Sequence, residues 1–175
     1  MLKVIDENNL ETLLDLGCGD AGKSIFFAEN GMMVTGLDEF EGHGSEATLE
    51  EIQNKITDLG FGGKIEIIKM DAIDINKLSQ TFDVVFAQNS LHHIFEYPIS
   101  RSIKVEKFFQ KLNGRITPQG YFYITEINQW DLWDFLSKII PGNWHKSSDL
   151  FRTINPVNFS SKTPLKVWVK HLQNS

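Results

Sequence analysis

The chain has 175 residues, 41% of them hydrophobic, with a single cysteine: enough apolar material for one domain of ordinary size, and too few thiols for a disulfide framework or a zinc site. It contains no run of about 18 apolar residues, and its opening "MLKVIDENNLE" lacks the basic and apolar regions of a signal peptide, so a cytoplasmic protein without a membrane partner is expected. The net charge of −6 is uneven, with 6 Lys and Arg against 18 Asp and Glu in residues 1–100 and 11 against 5 in residues 101–175. The acidic part repels polyanions and argues against nucleic acid, while the basic part suits an anionic substrate or a protein partner.

"TLLDL" (12–16) is a short apolar run ending in glycines, the pattern of a buried parallel strand. "KSIFFAENG" follows as a helix stopped by Gly31, then "MVTGLD" (33–38) as a second strand. "SEATLEEIQNKITDLG" (45–60) reads as a helix with Ser45 as N-cap, Leu49, Ile52, Ile56 and Leu59 on one face and Gly60 as terminator. "KIEIIKMD" (64–71), "FDVVFAQN" (82–89) and "GYFYITEI" (120–127) supply three more strands. Between the last two, "RSIKVEKFFQKLN" (101–113) is a helix and "TPQG" (117–120) a turn. Beyond Ile127, "WDLWDFLSKII" and "SSDLFRTIN" read as helices flanking Pro141-Gly142, and "PLKVWVKHL" alternates as an edge strand does. No repeat or long linker divides the chain, so residues 1–175 are expected to form one domain. Five strands alternating with helices imply a doubly wound α/β sheet, mostly parallel, with helices on both faces.

In such a sheet ligands bind beyond the carboxyl ends of the strands. "LLDLGCGDAG" (13–22) places Gly17 and Gly19 after the first strand, where bare backbone lets a ligand approach and unpaired N–H groups at a helix start suit an anionic group. With Gly22 the loop also spells the GxGxxG of dinucleotide sites. Asp38, 21 residues after Gly17 at the end of the second strand, is spaced to accept hydrogen bonds from ribose hydroxyls. Asp71-Ala72 follows the third strand, where an acidic acceptor can read an adenine amino group or merely start the turn "DAID". Cys18, within the glycine loop, reads as a small packing residue.

These segments together, in order from Glu11 to Asn128, resemble the class I S-adenosylmethionine-dependent methyltransferases. "LLDLGCGDAG" is similar to their first motif, "VTGLDE" to their ribose-binding acid, "IIKMDAID" to their adenine-contacting acid, "FDVVFAQNSLHHIF" to their fourth motif, and "LNGRITPQGYFYITE" to the approach to their fifth strand. The resemblance implies a Rossmann-like sheet with a reduced antiparallel C-terminal edge, for which "LKVWVKHL" is the candidate, and S-adenosylmethionine as cofactor. Asp15, Gly17 and Gly19 would then line the methionine moiety, Asp38 the ribose with Glu39 beside it, Asp71 and Ala72 the adenine, and Gln88 would close the site. Ala21 stands where the family usually has its third glycine, and the stretch before the first strand leaves little room for N-terminal covering helices.

Methyl transfer from a sulfonium is an in-line displacement on an activated carbon, so the protein's share is alignment and exclusion of water. A base helps when the acceptor is a hydroxyl or thiol, and His92 or His93 in "SLHHIF" stands where one is needed. Adjacent residues on a helical turn point about 100° apart, so at most one of the two faces the site. Trp130 and Trp144, in an aromatic segment with Lys138, His145, Lys146 and Arg152, are the candidates for roofing a small-molecule acceptor with an apolar body and an acidic group. No metal site is expected. Two other functions fit parts of the pattern: an NAD(P)-dependent oxidoreductase, from GxGxxG and Asp38 alone, and a noncatalytic methyltransferase-fold subunit that binds another protein.

Overall fold

The structure, a computed structural model, describes residues 1–40, 47–95, 102–126, 151–154 and 166–171. In chain order it runs α1 (Leu2–Asn8), β1 (Thr12–Leu16), α2 (Gly22–Glu29), β2 (Met33–Asp38), α3 (Leu49–Asp58), β3 (Ile65–Lys69), a 3-10 helix (Ala72–Lys77), β4 (Phe82–Gln88), α4 (Leu91–Phe95), α5 (Ser102–Asn113), β5 (Ile116–Glu126), β6 (Phe151–Ile154) and β7 (Lys166–His171). The strands make one sheet in the order β3-β2-β1-β4-β5-β7-β6. Pairings from β3 through β7 are parallel, and only β6 runs antiparallel to its neighbour β7.

The apolar run of β1 is explained by burial on both faces. Leu13 joins Ile5 of α1, Ile25, Phe27 and Ala28 of α2, and Ile52 and Ile56 of α3 in one core cluster. Leu14 and Leu16, pointing the other way, join Ile75, Leu91, Phe108, Phe109 and Leu112 in a second. Strand alternation thus feeds two cores, one on each side of the sheet. Phe86 extends the first cluster from Phe27 to Tyr123, with ring centroids 5.0 Å and 5.5 Å away.

Four local expectations are corrected. The helix expected from Ser45 begins at Leu49 with Thr48 as its cap: the Thr48 hydroxyl accepts from the Glu51 N–H and the Glu51 carboxylate accepts from the Thr48 N–H at 2.7 Å. The T-x-x-E signature was present in the sequence, one turn later than the serine. "TPQG" is not a turn ahead of β5 but a bulge within it. Phe82 pairs with Ile116 and Val84 with Tyr121, so four residues of β5 face the single Asp83. A side chain at Gly120 would collide with Ile116 and with the Asp83 carbonyl, which is why glycine closes the bulge. "SSDLFRTIN", read as helical, contributes strand β6 instead, because Phe151–Ile154 pairs antiparallel with β7. "LKVWVKHL" is inside the sheet and parallel to β5, so the antiparallel edge is β6. "WDLWDFLSKII" lies outside the described residues.

Candidate functional site at the carboxyl edge of β1, β2 and β4

After β3 the chain returns to the far side of β1, so strand order reverses between β1 and β4 and a crevice opens beyond their carboxyl ends. The glycine loop after β1 forms one wall. Positive φ recurs at Gly17 (75°), Gly19 (51°) and Ala21 (59°), so Ala21, completely buried, holds a left-handed conformation that glycine adopts at lower cost. At Gly17 a second constraint applies, since an added side chain would collide with Ser90. Ser90 fixes this approach by donating its hydroxyl to the Leu16 carbonyl at 2.8 Å, tying the end of β4 to the end of β1.

The N–H groups expected to be open to an anion are committed internally. Gly17 and Cys18 both donate to the Leu37 carbonyl at 2.8 and 3.2 Å, and Gly19 donates to Asp38 Oδ2 at 2.9 Å. Asp38 Oδ1 accepts from Phe40 N–H at 2.8 Å. The carboxylate therefore braces the glycine loop on one oxygen and the chain leaving β2 on the other, and each oxygen keeps a further lone pair. Lys55 of α3 supports the loop from outside, donating to the Asp20 carbonyl at 3.0 Å.

Beneath the loop lies Asp15, only 2% exposed. Its Oδ2 accepts from the Ser24 hydroxyl at 2.7 Å, and Ser24 is itself fully buried on α2. Burial pushes the Asp15 carboxyl up to about 6; the Ser24 hydroxyl opposes the rise, the Asp38 charge adds to it, and Lys23 and the Ser24 backbone N–H pull it down. The Cys18 thiol is buried and pushed far up, first by desolvation and then by Asp15 and Asp38, which makes it a packing group and an inert nucleophile.

The remaining candidates are placed as follows. Glu39 is exposed next to Asp38. Asp71 is exposed and caps the 3-10 helix, its Oδ1 accepting from Ile73 N–H at 2.9 Å, while the Ala72 side chain sits in the core. Gln88 ends β4 half-buried. His92 and His93 stand in α4, which starts two residues beyond β4; His93 is exposed, and the His92 side chain lies outside the described residues. Trp130 and Trp144, with Lys138, His145 and Lys146, also lie outside them. The structure thus brings Asp15, Gly17, Gly19 and Asp38 together and sets Gln88 on the neighbouring strand. Sequence reasoning missed Ser24, Ser90 and Phe40. Only Ser24 had a readable signal, a hydroxyl in the first turn of the helix that follows an acidic strand end. Asn89, held at a φ of 52° beside Ser90, encloses a side-chain oxygen with no hydrogen-bond partner. Among the described residues no three His, Cys, Asp or Glu side chains gather as a metal site, and no helix is long and apolar enough to cross a membrane.

A family model described as "Methyltransferase domain" matches residues 13–120. The chain belongs to this methyltransferase-domain family. Among solved structures it is similar to an S-adenosylmethionine-dependent methyltransferase from Clostridium acetobutylicum, at 18% identity and a TM-score of 0.57 over 95% of this chain and 68% of that one. It is also similar to a protein from Galdieria sulphuraria described as a putative sarcosine dimethylglycine methyltransferase, at 18% identity and a TM-score of 0.53 over 74% of this chain and 46% of that one. A third likeness is to the sugar N-methyltransferase KedS8 from Streptoalloteichus, at 17% identity and a TM-score of 0.51, covering 68% of this chain and 42% of the other. At these identities the likeness is one of fold. The chain spans only 30–51% of the length of the O-methyltransferase structures it also matches. No curated protein sequence matches it significantly.

Proposed function

We propose that the protein binds S-adenosylmethionine at the carboxyl edge of β1, β2 and β4 and transfers its methyl group to a small-molecule acceptor. The observation that carries this reading is the pairing of two carboxylates, Asp15 and Asp38, around a glycine loop whose Gly17 and Gly19 N–H groups are already used. A dinucleotide needs such N–H groups for its pyrophosphate, and the Asp15 charge beneath the loop repels that group, whereas Asp38 suits the ribose of either ligand. The Asp15 charge favours a ligand bearing an ammonium and a sulfonium. Asp38 fits the ribose, because its two oxygens retain lone pairs after bonding Gly19 and Phe40.

S-adenosylmethionine supplies a methyl group on a positively charged sulfur, ready for in-line displacement. The chain's part is to hold and orient it through Asp38 and the glycine loop, with Gln88, Asp71 and Ala72 proposed along the cofactor and Glu39 beside Asp38. For a hydroxyl or thiol acceptor, His92 or His93 is proposed to take the proton; the exposure of His93 suits a hand-off to water. The aromatic segment holding Trp130 and Trp144 is proposed to cover the acceptor. The acidic first hundred residues favour a small acceptor over nucleic acid.

Calorimetric titration with S-adenosylhomocysteine and, separately, NAD tests the reading. The parent is expected to bind the first and not the second. Asp38→Ala is expected to weaken S-adenosylhomocysteine at least about tenfold, since bonds to a carboxylate contribute roughly 1.5 to 3 kcal/mol, and to lower the melting temperature because Gly19 and Phe40 lose their acceptor. Binding of NAD in preference would overturn the assignment, and unchanged affinity in the variant would remove Asp38 from the site.

A further inference from the structure

We infer that Ser24 is a positioning residue for the cofactor: by donating its hydroxyl to the buried Asp15, it keeps that carboxylate ionised and fixed beneath the glycine loop, where its charge attracts the ammonium-bearing end of the ligand. The inference rests on the reading of the site as one for S-adenosylmethionine.

Ser24 and Asp15 are both enclosed, and their contact of 2.7 Å is within the range of a charge-assisted bond from hydroxyl to carboxylate. Ser24 belongs to the first turn of α2, and Asp15 to the last but one position of β1, so this bond ties together the two elements that the loop Gly17–Ala21 connects. A serine facing a sheet core ordinarily weakens a helix, and here its hydroxyl is spent on one acceptor. What it does there follows from the groups around Asp15. From β2 comes Asp38, whose charge opposes ionisation. From α2 comes Lys23, which favours it, and from the loop comes Cys18, neutral because its thiol is pushed far up. From β4 the register partner is Phe86, which carries no charge. Lys23 is exposed and therefore screened by water, so the Ser24 hydroxyl is the main inward-facing group that holds Asp15 as an anion against burial. A buried charge is weakly screened and acts across the loop without touching the ligand.

The result is a division of labour within one ligand. Asp38 addresses the ribose, and the Ser24–Asp15 pair addresses only the amino-acid end. Adenosine ligands with and without that end separate the two roles. By calorimetry at pH 7, Ser24→Ala is expected to bind S-adenosylhomocysteine at least about fivefold more weakly than the parent, as loss of a charge-stabilising bond favours the neutral acid. It is expected to bind 5′-methylthioadenosine, which lacks the amino-acid end, as the parent does. The affinity of the parent for S-adenosylhomocysteine is expected to fall as pH drops below about 6, where Asp15 takes up its proton. In Ser24→Ala that fall moves to higher pH, and Ser24→Thr, which keeps the hydroxyl, restores the parent profile. Equal weakening of both ligands would mean that Ser24 merely shapes the loop, and unchanged binding of both would mean that it does nothing to the site; either overturns the inference while leaving the cofactor reading intact. Should Ser24→Ala not fold, the parent's pH profiles decide: a fall below pH 6 for both ligands, or for neither, overturns it. A parent that binds neither ligand overturns the cofactor reading and this inference with it.

Discussion

Asp15 is a residue on which stability and the proposed binding role pull in opposite directions. Its folded pKa of about 6 lies above the ordinary 3.8, so folding favours the protonated form. The contribution of Asp15 to stability is complete below about 3.8 and is lost as pH rises through 6. At pH 8 the group is an anion enclosed by protein, and the fold carries it at a cost of up to about 3 kcal/mol, since one pKa unit corresponds to about 1.4 kcal/mol. Set against a typical domain stability of about 5 to 15 kcal/mol, that is a large fraction. Asp15→Asn keeps the shape and an oxygen for the Ser24 hydroxyl while removing the charge. In urea unfolding the variant is expected to be more stable than the parent at pH 8 and equal to it at pH 4, while binding S-adenosylhomocysteine more weakly. Equal stability at both pH values would show that ionising Asp15 costs the fold nothing. At this scale the sequence was most informative where a residue is defined by chain position. Asp15, Gly17, Gly19 and Asp38 all follow directly from strand ends. It was least informative about what each polar group already touches: the N–H groups of the loop looked available, and their partners Leu37 and Asp38 lie about twenty residues downstream, beyond any local pattern.

Among elements, the amino ends of β1 and β4 are latched by Asp83. Its Oδ2 accepts from the Thr12 hydroxyl at 2.8 Å and from the N–H groups of Thr12 and Glu11 at 3.0 and 3.1 Å, and its Oδ1 accepts from Thr117 in the β5 bulge at 3.2 Å. Partial burial raises the Asp83 pKa, but these hydrogen bonds outweigh it and hold the carboxyl below the usual range. The latch therefore contributes stability above the ordinary carboxylate pKa and loses it as pH falls through the depressed folded value. Asp83→Ala is expected to destabilise the domain by about 2 kcal/mol at neutral pH, with the gap to the parent closing in acid. Its cofactor affinity is expected to be unchanged, because the latch stands four residues from the carboxyl edge, roughly 13 Å along the strand. A marked loss of affinity in a folded variant would contradict this separation of the two ends. The latch also explains where element boundaries escaped sequence reading. "TPQG" has the composition of a turn, yet Thr117 is bound to Asp83 and Gly120 lets β5 rejoin β4, so tertiary pairing drew the segment into the strand. For α3 the serine drew attention away from the Thr48 and Glu51 pair; periodicity placed Ile52 and Ile56 on the buried face correctly, but Leu59, expected beside them, is the C-cap and is exposed.

For the molecule as a whole, strand order and the two-sided core place the crevice; the two-sided core followed from the alternation of strands and helices, whereas the strand order, the existence of β6 and the internal, parallel place of β7 did not, because a short run carries no sign of which neighbour it joins. The two edges of the sheet compete as binding places. At the amino edge a cleft of about 270 Å³ is lined by Thr12, Thr35, Gly63, Lys64 and Gln80, with Gln80 donating to the Thr35 hydroxyl at 2.9 Å. It has walls for a ligand but no pair of carboxylates at a glycine loop. The carboxyl edge has that pair, and its backbone is the less regular: four positive φ angles outside glycine are found among the described residues, and three of them, at Ala21, Phe40 and Asn89, lie there. Such segments open locally at lower free energy than the paired strands. Hydrogen exchange with and without saturating S-adenosylhomocysteine should therefore separate two effects. Ligand at about 100 times its dissociation constant stabilises the folded state by roughly 2.7 kcal/mol, which slows exchange of amides that need global unfolding, those in the centres of β1 and β4. Amides of 17–22, 38–40 and 88–91, exchanging by local opening, gain protection only if the ligand sits on them. The expected pattern is strong added protection at these three stretches and none at the exposed 62–64 turn beside the amino-edge cleft. Added protection at 62–64 with the glycine loop unchanged would move the binding site to the opposite end of the sheet.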